Sequence, residues 1–142
     1  MKSGSLTYSY NDIEIPVRLL HQYLGLVHII GFTGTLGAGK TTLVKALLDY
    51  CGVEGFVQSP TFMYMNIYTG QNGRSFYHFD LYRMHTREEF MSEGFAEYLT
   101  EPSSVCLIEW PEIIMPLLKK NVCIVSLEYV TEDTRNMRYE LL

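Results

Sequence analysis

Residues 34–41 spell GTLGAGKT, which matches the G-x-x-x-x-G-K-[ST] pattern of a phosphate-binding loop, or P-loop. The segment just before the loop, from Val27 to Phe32, is apolar and rich in β-branched residues, and this predicts a buried strand. After the loop, apolar residues recur at helical spacing from Leu43 to Leu48. The sequence therefore predicts a strand, a P-loop and a helix in the order that nucleotide-binding α/β folds require.

The residue types within the loop suit a polyphosphate. Glycine tolerates positive φ, so Gly34, Gly37 and Gly39 allow successive N–H groups to face a phosphate. Lys40 adds a positive charge toward the terminal phosphates, and the Thr41 hydroxyl is a ligand for magnesium. The residues predicted to hold the nucleotide are Gly34, Gly37, Ala38, Gly39, Lys40, Thr41 and Thr42.

Length and composition predict one domain. The 142 residues, 47% of them hydrophobic, suffice for one core, so residues 1–142 are expected to form a single P-loop domain. We expect a cytoplasmic protein with no membrane contact, because no apolar run is long enough to span a bilayer and the first residues lack a signal-peptide pattern. Cys51, Cys106 and Cys123 lie among apolar neighbours and are expected to be reduced thiols.

The net charge restricts how this chain can bind nucleic acid. With a formal charge of -5, it lacks the excess of lysine and arginine that a broad phosphate-binding surface needs. Any action on RNA is therefore expected to be indirect, through a partner that holds the RNA.

Periodicity and turn residues predict the remaining elements. Helices are expected at 12–24 with Asn11 or Asp12 as the cap, in part of 87–99, and at 112–118. Strands are expected at 62–68 and 75–80, joined as a β-hairpin, and at 105–109, 122–129 and 137–142. Strand-helix units combined with hairpins predict an α/β protein with a three-layer P-loop NTPase fold and a mixed parallel and antiparallel sheet.

Two apolar segments end in an acid. VCLIE ends at Glu109 in the Walker B pattern, which brings a carboxylate to magnesium or its water shell at the carboxyl edge of a sheet. FYHFD ends in the same way at Asp80. One acid is expected to orient magnesium-bound water and the other to position the attacking water or to sense the γ-phosphate, in either assignment. The structural alternatives are a turn cap for Glu109 and a salt bridge with Arg83 for Asp80.

Three further residues have both a functional and a structural interpretation. Thr61, in QSPTF, follows the P-loop helix, where switch segments approach a γ-phosphate, although a cap or turn role is equally open. His78 is expected to be packed and hydrogen-bonded rather than a metal ligand. Trp110 is expected either to pack against the switch region or to lie at a partner surface.

Four short motifs occur together between residues 31 and 112: GTLGAGKTT, SPTF, HFDLYR and IEWPE. In this order and spacing they resemble the bacterial TsaE proteins. Thr35 is a departure, because relatives commonly carry an acid at that position. The resemblance extends to the pattern of the two ends of the chain but not to their residues.

The resemblance implies an ATPase in the formation of tRNA threonylcarbamoyladenosine (t6A), acting with the TsaD and TsaB proteins and reaching tRNA through them. It implies ATP and Mg²⁺ as cofactors, with Thr41 and Glu109 as the magnesium residues. The catalytic residues that it implies are Lys40, Thr61, Asp80 and Glu109. It also implies contacts to the nucleotide base from segments 9–12 and 132–135.

Two other functions would use the same P-loop. A small-molecule or nucleotide kinase needs an acceptor pocket and usually an arginine-rich lid, and no such lid stands out in the sequence. A non-hydrolysing module would use ATP only to order segments for a partner.

Overall fold

The computed structural model describes residues 2–55, 57 and 64–142, and in this part of the chain seven strands form one sheet. The strands are β1 (Ser3–Ser9), β2 (Ile29–Thr33), β3 (Met65–Thr69), β4 (Ser75–Asp80), β5 (Ser104–Glu109), β6 (Val122–Thr131) and β7 (Thr134–Leu141). Their order across the sheet is β1-β7-β6-β2-β5-β4-β3. The four strands from β6 to β4 pair in parallel, and the outer pairs are antiparallel. The predicted mixed sheet is confirmed.

Helical elements cover both faces of this sheet. The α-helices are α1 (Glu14–Tyr23), α2 (Lys40–Tyr50) and α3 (Arg87–Ser92), and short 3-10 turns occur at Tyr10–Asp12, Gln71–Gly73, Phe95–Thr100 and Pro111–Leu117. Alternate residues of a strand point to opposite faces, so Ile30 and Phe32 pack against α1 and α2 while Ile29 packs in the cluster that includes α3. These two cores on a central sheet form the predicted three layers.

Strand register determines which residues meet at the carboxyl edge of the sheet. In the parallel ladders, Glu109 is the partner of Phe32 on β2 and of Asp80 on β4. The P-loop follows β2 and leads into α2. The loop and both strand-end acids are therefore brought to one edge.

The amino-terminal region differs from the sequence-based expectation. Residues 3–9 form an edge strand against β7, an element that we did not predict. The predicted cap at Asn11 or Asp12 is wrong, because these residues lie in a 3-10 turn and Ile13 directly precedes α1. The Asp12 carboxylate instead accepts a hydrogen bond from the Ser9 hydroxyl at 3.3 Å.

Other local predictions are confirmed. The hairpin forms from β3 and β4. Of the first residues expected in its strand, Phe62 and Met63 lie outside the described residues, and Tyr64 is a bend with a φ of 59° rather than part of β3. The helical segment at 87–99 is interrupted at Gly94, whose φ is 80°, and continues as a 3-10 turn. All three cysteines are free thiols, and burial raises the pKa of Cys106 to about 12. Among the described helices, none has the length and apolar character needed to cross a membrane.

Candidate functional site

The backbone of the P-loop depends on its glycines at two positions. Gly34 has a φ of 142°, and a Cβ there would come within 2.6 Å of the Leu127 carbonyl oxygen. Gly39 has a φ of 96°, and a Cβ there would lie 2.9 Å from the Tyr10 hydroxyl. At Gly34 a larger residue would collide with the backbone of β6, so this position requires glycine for space as well as for conformation. At Gly39 the positive φ favours glycine, and a larger residue would also displace the Tyr10 hydroxyl.

Lys40 is engaged by the loop itself. Its Nζ donates to the Gly34 carbonyl at 2.6 Å and to the Thr35 carbonyl at 2.9 Å. The same nitrogen lies 4.0 Å from the centroid of the Trp110 ring. Burial lowers the pKa of Lys40, and the charge of Glu109 opposes this shift. The Lys40 amine therefore contacts two loop carbonyls and the face of the Trp110 ring, beside the position that a phosphate would take.

A chain of short hydrogen bonds links the P-loop helix to two strands. The Thr41 hydroxyl donates to Glu109 Oε1 at 2.6 Å. His78 Nε2 lies 2.6 Å from Glu109 Oε2, and since a carboxylate only accepts, this nitrogen carries the hydrogen. Both partners are buried, and among the described residues His78 Nδ1 has no hydrogen-bond partner. The expectation of a packed, hydrogen-bonded histidine is confirmed.

Asp80 lies beside this chain of hydrogen bonds. Its Oδ1 accepts a hydrogen bond from the Tyr82 N–H at 3.1 Å. Burial raises the pKa of Asp80, and the nearby charge of Glu109 raises it further. No salt bridge with Arg83 occurs within the described part of the chain. Asp80 is thus a carboxylate with a raised pKa at the mouth of the site, which is typical of a functional position.

These residues surround a pocket of about 370 Å³ at the carboxyl edge of the sheet. The predicted site residues that line it are Gly37, Gly39, Lys40, Thr41, Thr42, Asp80 and Glu109. The lining also includes Tyr10, Leu36, Tyr82 and Trp110. Gly34 supplies the carbonyl that holds Lys40, and Ala38 is buried with its N–H donated to the Thr35 carbonyl at 3.1 Å. Thr61 lies outside the described residues, so its role stays a prediction.

The donor set suits a magnesium ion. Thr41 and Glu109 place a hydroxyl and a carboxylate oxygen 2.6 Å apart, and both are hard oxygen ligands. At this edge and elsewhere in the described residues, no group of three or more His, Cys, Asp or Glu side chains has the arrangement of a metal site, so any ion here would rely on few protein ligands. Mg²⁺ needs few protein ligands when phosphates and water complete its coordination shell. Thr41 and Glu109 are therefore the residues that could hold the ion.

Trp110 has a backbone φ of 59° at the end of β5, an unusual value for a bulky residue. Its backbone N–H donates to the Phe32 carbonyl at 3.2 Å, and the centroid of its ring lies 4.9 Å from the centroid of the Tyr82 ring. The left-handed turn thus directs the indole over the P-loop lysine. Trp110 thus packs against Lys40 and Tyr82. The predicted switch segment around Thr61 lies outside the described residues, so packing against that segment, like the partner-surface interpretation, stays a prediction.

A family model described as "Threonylcarbamoyl adenosine biosynthesis protein TsaE" matches residues 9–137. The chain belongs to the TsaE family. The match includes β6 and the first half of β7, which the four sequence motifs did not reach.

Individual TsaE proteins are similar over most of their length. The tRNA threonylcarbamoyladenosine biosynthesis protein TsaE of Haemophilus influenzae is 38% identical over 132 residues, which are 93% of this chain and 80% of that protein. The protein of the same description from Rickettsia conorii is 39% identical over 128 residues, 89% of this chain and 71% of its own. The crystal structure of YdiB from Bacillus subtilis aligns with a TM-score of 0.69 and 23% identity, covering 98% of this chain and 86% of that one. This likeness shows the shared fold.

Sequence reasoning placed three residues at the TsaE-family P-loop only coarsely. Arg135 was included in a segment expected to contact the nucleotide base, but its guanidinium is buried against loop carbonyls. Tyr10, from the other such segment, lines the pocket, and its N–H donates to the Asp133 carbonyl at 2.9 Å. His78 was recognised as packed, but not as the partner of Glu109. The sequence did carry a signal for Arg135. In a strand, residues two positions apart share a face, so Arg135 is predicted to face inward together with apolar Met137.

Proposed function

We propose that this TsaE-family chain is an ATPase that supports t6A formation by binding the TsaB–TsaD pair and hydrolysing ATP with Mg²⁺. The observation that carries the proposal is the convergence of three groups on one pocket: the P-loop, the Thr41–Glu109 hydrogen bond and the neighbouring Asp80. Residues 1–142 act in this proposal as one ATPase domain. The family description, threonylcarbamoyl adenosine biosynthesis, supports the pathway.

In the proposed mechanism, the phosphates lie across the P-loop, where the N-terminus of α2 attracts negative charge. Lys40 leaves the Gly34 and Thr35 carbonyls and donates to the terminal phosphates, which offer a stronger, charge-assisted hydrogen bond. Thr41 and Glu109 would hold the magnesium ion. When bound, this ion neutralises charge that develops on the transferred phosphoryl group.

Asp80 positions the attacking water in this proposal. It lies at the end of the strand beside β5, next to Glu109 in the parallel register, and its pKa is raised by burial. A carboxylate with a raised pKa is a better proton acceptor than an ordinary surface aspartate. Thr61 is proposed to approach the γ-phosphate from the segment that precedes β3.

Hydrolysis by the chain alone is proposed to be slow. Among the described residues, Lys40 is the only cationic side chain that lines the pocket, and no arginine lines it to contact the transferred phosphoryl group. A partner that completes the site would accelerate the reaction. The exposed apolar rim of Leu36 and Tyr82 beside Trp110 offers contacts close to the nucleotide.

The test measures phosphate release from ATP by the protein alone, with the TsaB–TsaD pair, and with candidate small-molecule acceptors. We expect slow release alone and faster release with the pair. Phosphorylation of an acceptor would instead assign a kinase, and nucleotide-dependent binding of the pair without release would assign a non-hydrolysing module. Affinity for the pair is measured with ATP, with ADP and without nucleotide, and is expected to be highest with ATP. Equal affinity in the three states together with unaltered turnover would remove the partner role.

A further inference from the structure

A buried arginine lies behind the P-loop. Arg135, on β7, is 5% exposed and donates from Nε to the Ala38 carbonyl and from Nη2 to the Gly37 carbonyl, both at 3.1 Å. Its Nη1 donates to three carbonyls in and beside the turn between β6 and β7, at 2.6 Å to Thr131, 2.9 Å to Thr134 and 3.4 Å to Glu132. One guanidinium thus ties this turn to the predicted phosphate cradle.

The contact with Ala38 orients a donor on the opposite side of the loop. A trans peptide holds its N–H opposite to its C=O. The described backbone contains no cis peptide, so the Gly39 N–H, which shares a peptide unit with the Ala38 carbonyl, faces away from Arg135. Gly39 lines the pocket, and Arg135 is not among the described residues that line it. Arg135 therefore acts on the cradle from behind.

Arg135 also carries a charge that no acid neutralises at close range. A guanidinium stays protonated in proteins, and in the described part of the chain no carboxylate lies within salt-bridge distance of it. The rings of Tyr10 and Tyr129 flank it, with centroids 5.1 and 4.6 Å from Cζ. Because the surroundings of a buried group screen charge less than water does, its positive potential extends to the phosphate side of the loop.

We propose that Arg135 is a positioning residue for the phosphate cradle, a role that rests on the proposed ATPase function. It holds the backbone from Gly37 to Gly39 in the geometry that binds phosphate and adds positive potential behind it. Arg135 thereby contributes to the affinity for phosphate groups in particular, although it belongs to the last strand and to neither the P-loop nor the acids that end β4 and β5.

The test compares ligands that differ in their number of phosphates. AMP, ADP and ATP are titrated by calorimetry without magnesium against the wild-type, Arg135→Met and Arg135→Lys proteins, at a temperature below the melting transition of each. Arg135→Met is expected to lower ATP affinity by about tenfold or more, ADP affinity by less and AMP affinity least. Arg135→Lys keeps the charge but loses the planar fork, so its losses are expected to lie in between. Arg18→Met removes an exposed positive charge on α1 and is expected to bind as wild type.

An equal loss of affinity for the three nucleotides would overturn the proposal, because Arg135 would then support the fold or the base-binding side alone. Wild-type ATP affinity in both variants would also overturn it. If Arg135→Met does not melt cooperatively, Arg135→Lys is judged by the same criterion. Failure of the wild-type protein to bind any of the nucleotides would be a different result, since it would remove the proposed ATPase function before the role of Arg135 arises.

Discussion

Thr41 donates a hydrogen bond of 2.6 Å to Glu109, although 68 positions of sequence separate them. The hydroxyl belongs to the first turn of α2 and the carboxylate to the last residue of β5. The two meet because β5 pairs directly with β2, the strand that leads into the P-loop. The second Glu109 oxygen contacts His78 from β4. Side chains from α2 and β4 together therefore determine where this carboxylate, at the end of β5, points.

Glu109→Gln is expected to lower magnesium-dependent turnover at least about tenfold, a typical loss when a group that orients a metal is altered. ATP affinity measured in EDTA is expected to change much less, because the proposed task of Glu109 concerns the ion rather than the phosphates. Glu97→Gln, at an exposed position, is the matched control. Equal losses with and without magnesium would contradict the metal role of Glu109.

Lys40→Ala is expected to weaken ATP binding at least about tenfold, about 1.4 kcal/mol or more, since a charge-assisted contact to phosphate is removed. Trp110, the sole tryptophan, reports this site because the lysine amine lies over its ring. Its fluorescence is expected to change when wild-type protein binds ATP and to differ in the nucleotide-free Lys40→Ala protein. Lys45→Ala, later in the same helix, serves as control. Unaltered ATP affinity in Lys40→Ala would falsify the phosphate-site assignment.

Asp80→Asn is expected to abolish hydrolysis while ATP affinity stays within about threefold of wild type, because the proposed role of Asp80 is toward water. The amide keeps the acceptor oxygen for the Tyr82 N–H. Turnover and calorimetric affinity are measured on the same preparation. Loss of affinity in parallel with turnover would indicate that Asp80 supports the pocket rather than the chemical step.

The raised pKa of Asp80 also predicts a stability effect. A raised folded-state pKa means that the folded protein binds the proton more tightly than the unfolded chain, so ionised Asp80 destabilises the fold. The penalty grows as pH rises from the ordinary value of 3.8 through the folded-state pKa, and is complete above it. Asp80→Asn is therefore expected to raise Tm at pH 7 and to have little effect on Tm near pH 3. An unchanged or lower Tm at pH 7 would contradict the burial of charge at Asp80.

His78→Phe is expected to lower the free energy of unfolding by about 1–3 kcal/mol, because it leaves a buried oxygen of Glu109 without its donor. In the Glu109→Gln background the loss is expected to be smaller, since the acceptor is then uncharged. Urea denaturation of the four proteins in this cycle gives the coupling between the two side chains. His85→Phe, at an exposed position, controls for the change of residue type. Additive effects would show that the hydrogen bond contributes nothing of its own.

Local pattern was enough to predict the phosphate loop and most elements around it. The P-loop is a run of consecutive residues. The spacing of apolar residues in β2 and α2 depends only on which of their own side chains face a core. Acids that follow apolar strands could likewise be recognised at Asp80 and Glu109. The strand at residues 3–9 escaped prediction because it is an edge strand whose pairing with β7 joins opposite ends of the chain. The cap of α1 was misplaced because an intervening 3-10 turn uses Asn11 and Asp12.

Long-range pairing determined which of these groups touch. Glu109 contacts Thr41 and His78 because β5 lies between β2 and β4, and a different strand order would not have brought these three side chains together. Arg135 lies under Gly37 only because β7 folds back on β6, which itself pairs with β2. Residue types and short periods are local properties that a sequence carries directly. Strand order and register arise from the packing of the whole sheet, and they alone set the distances at this site.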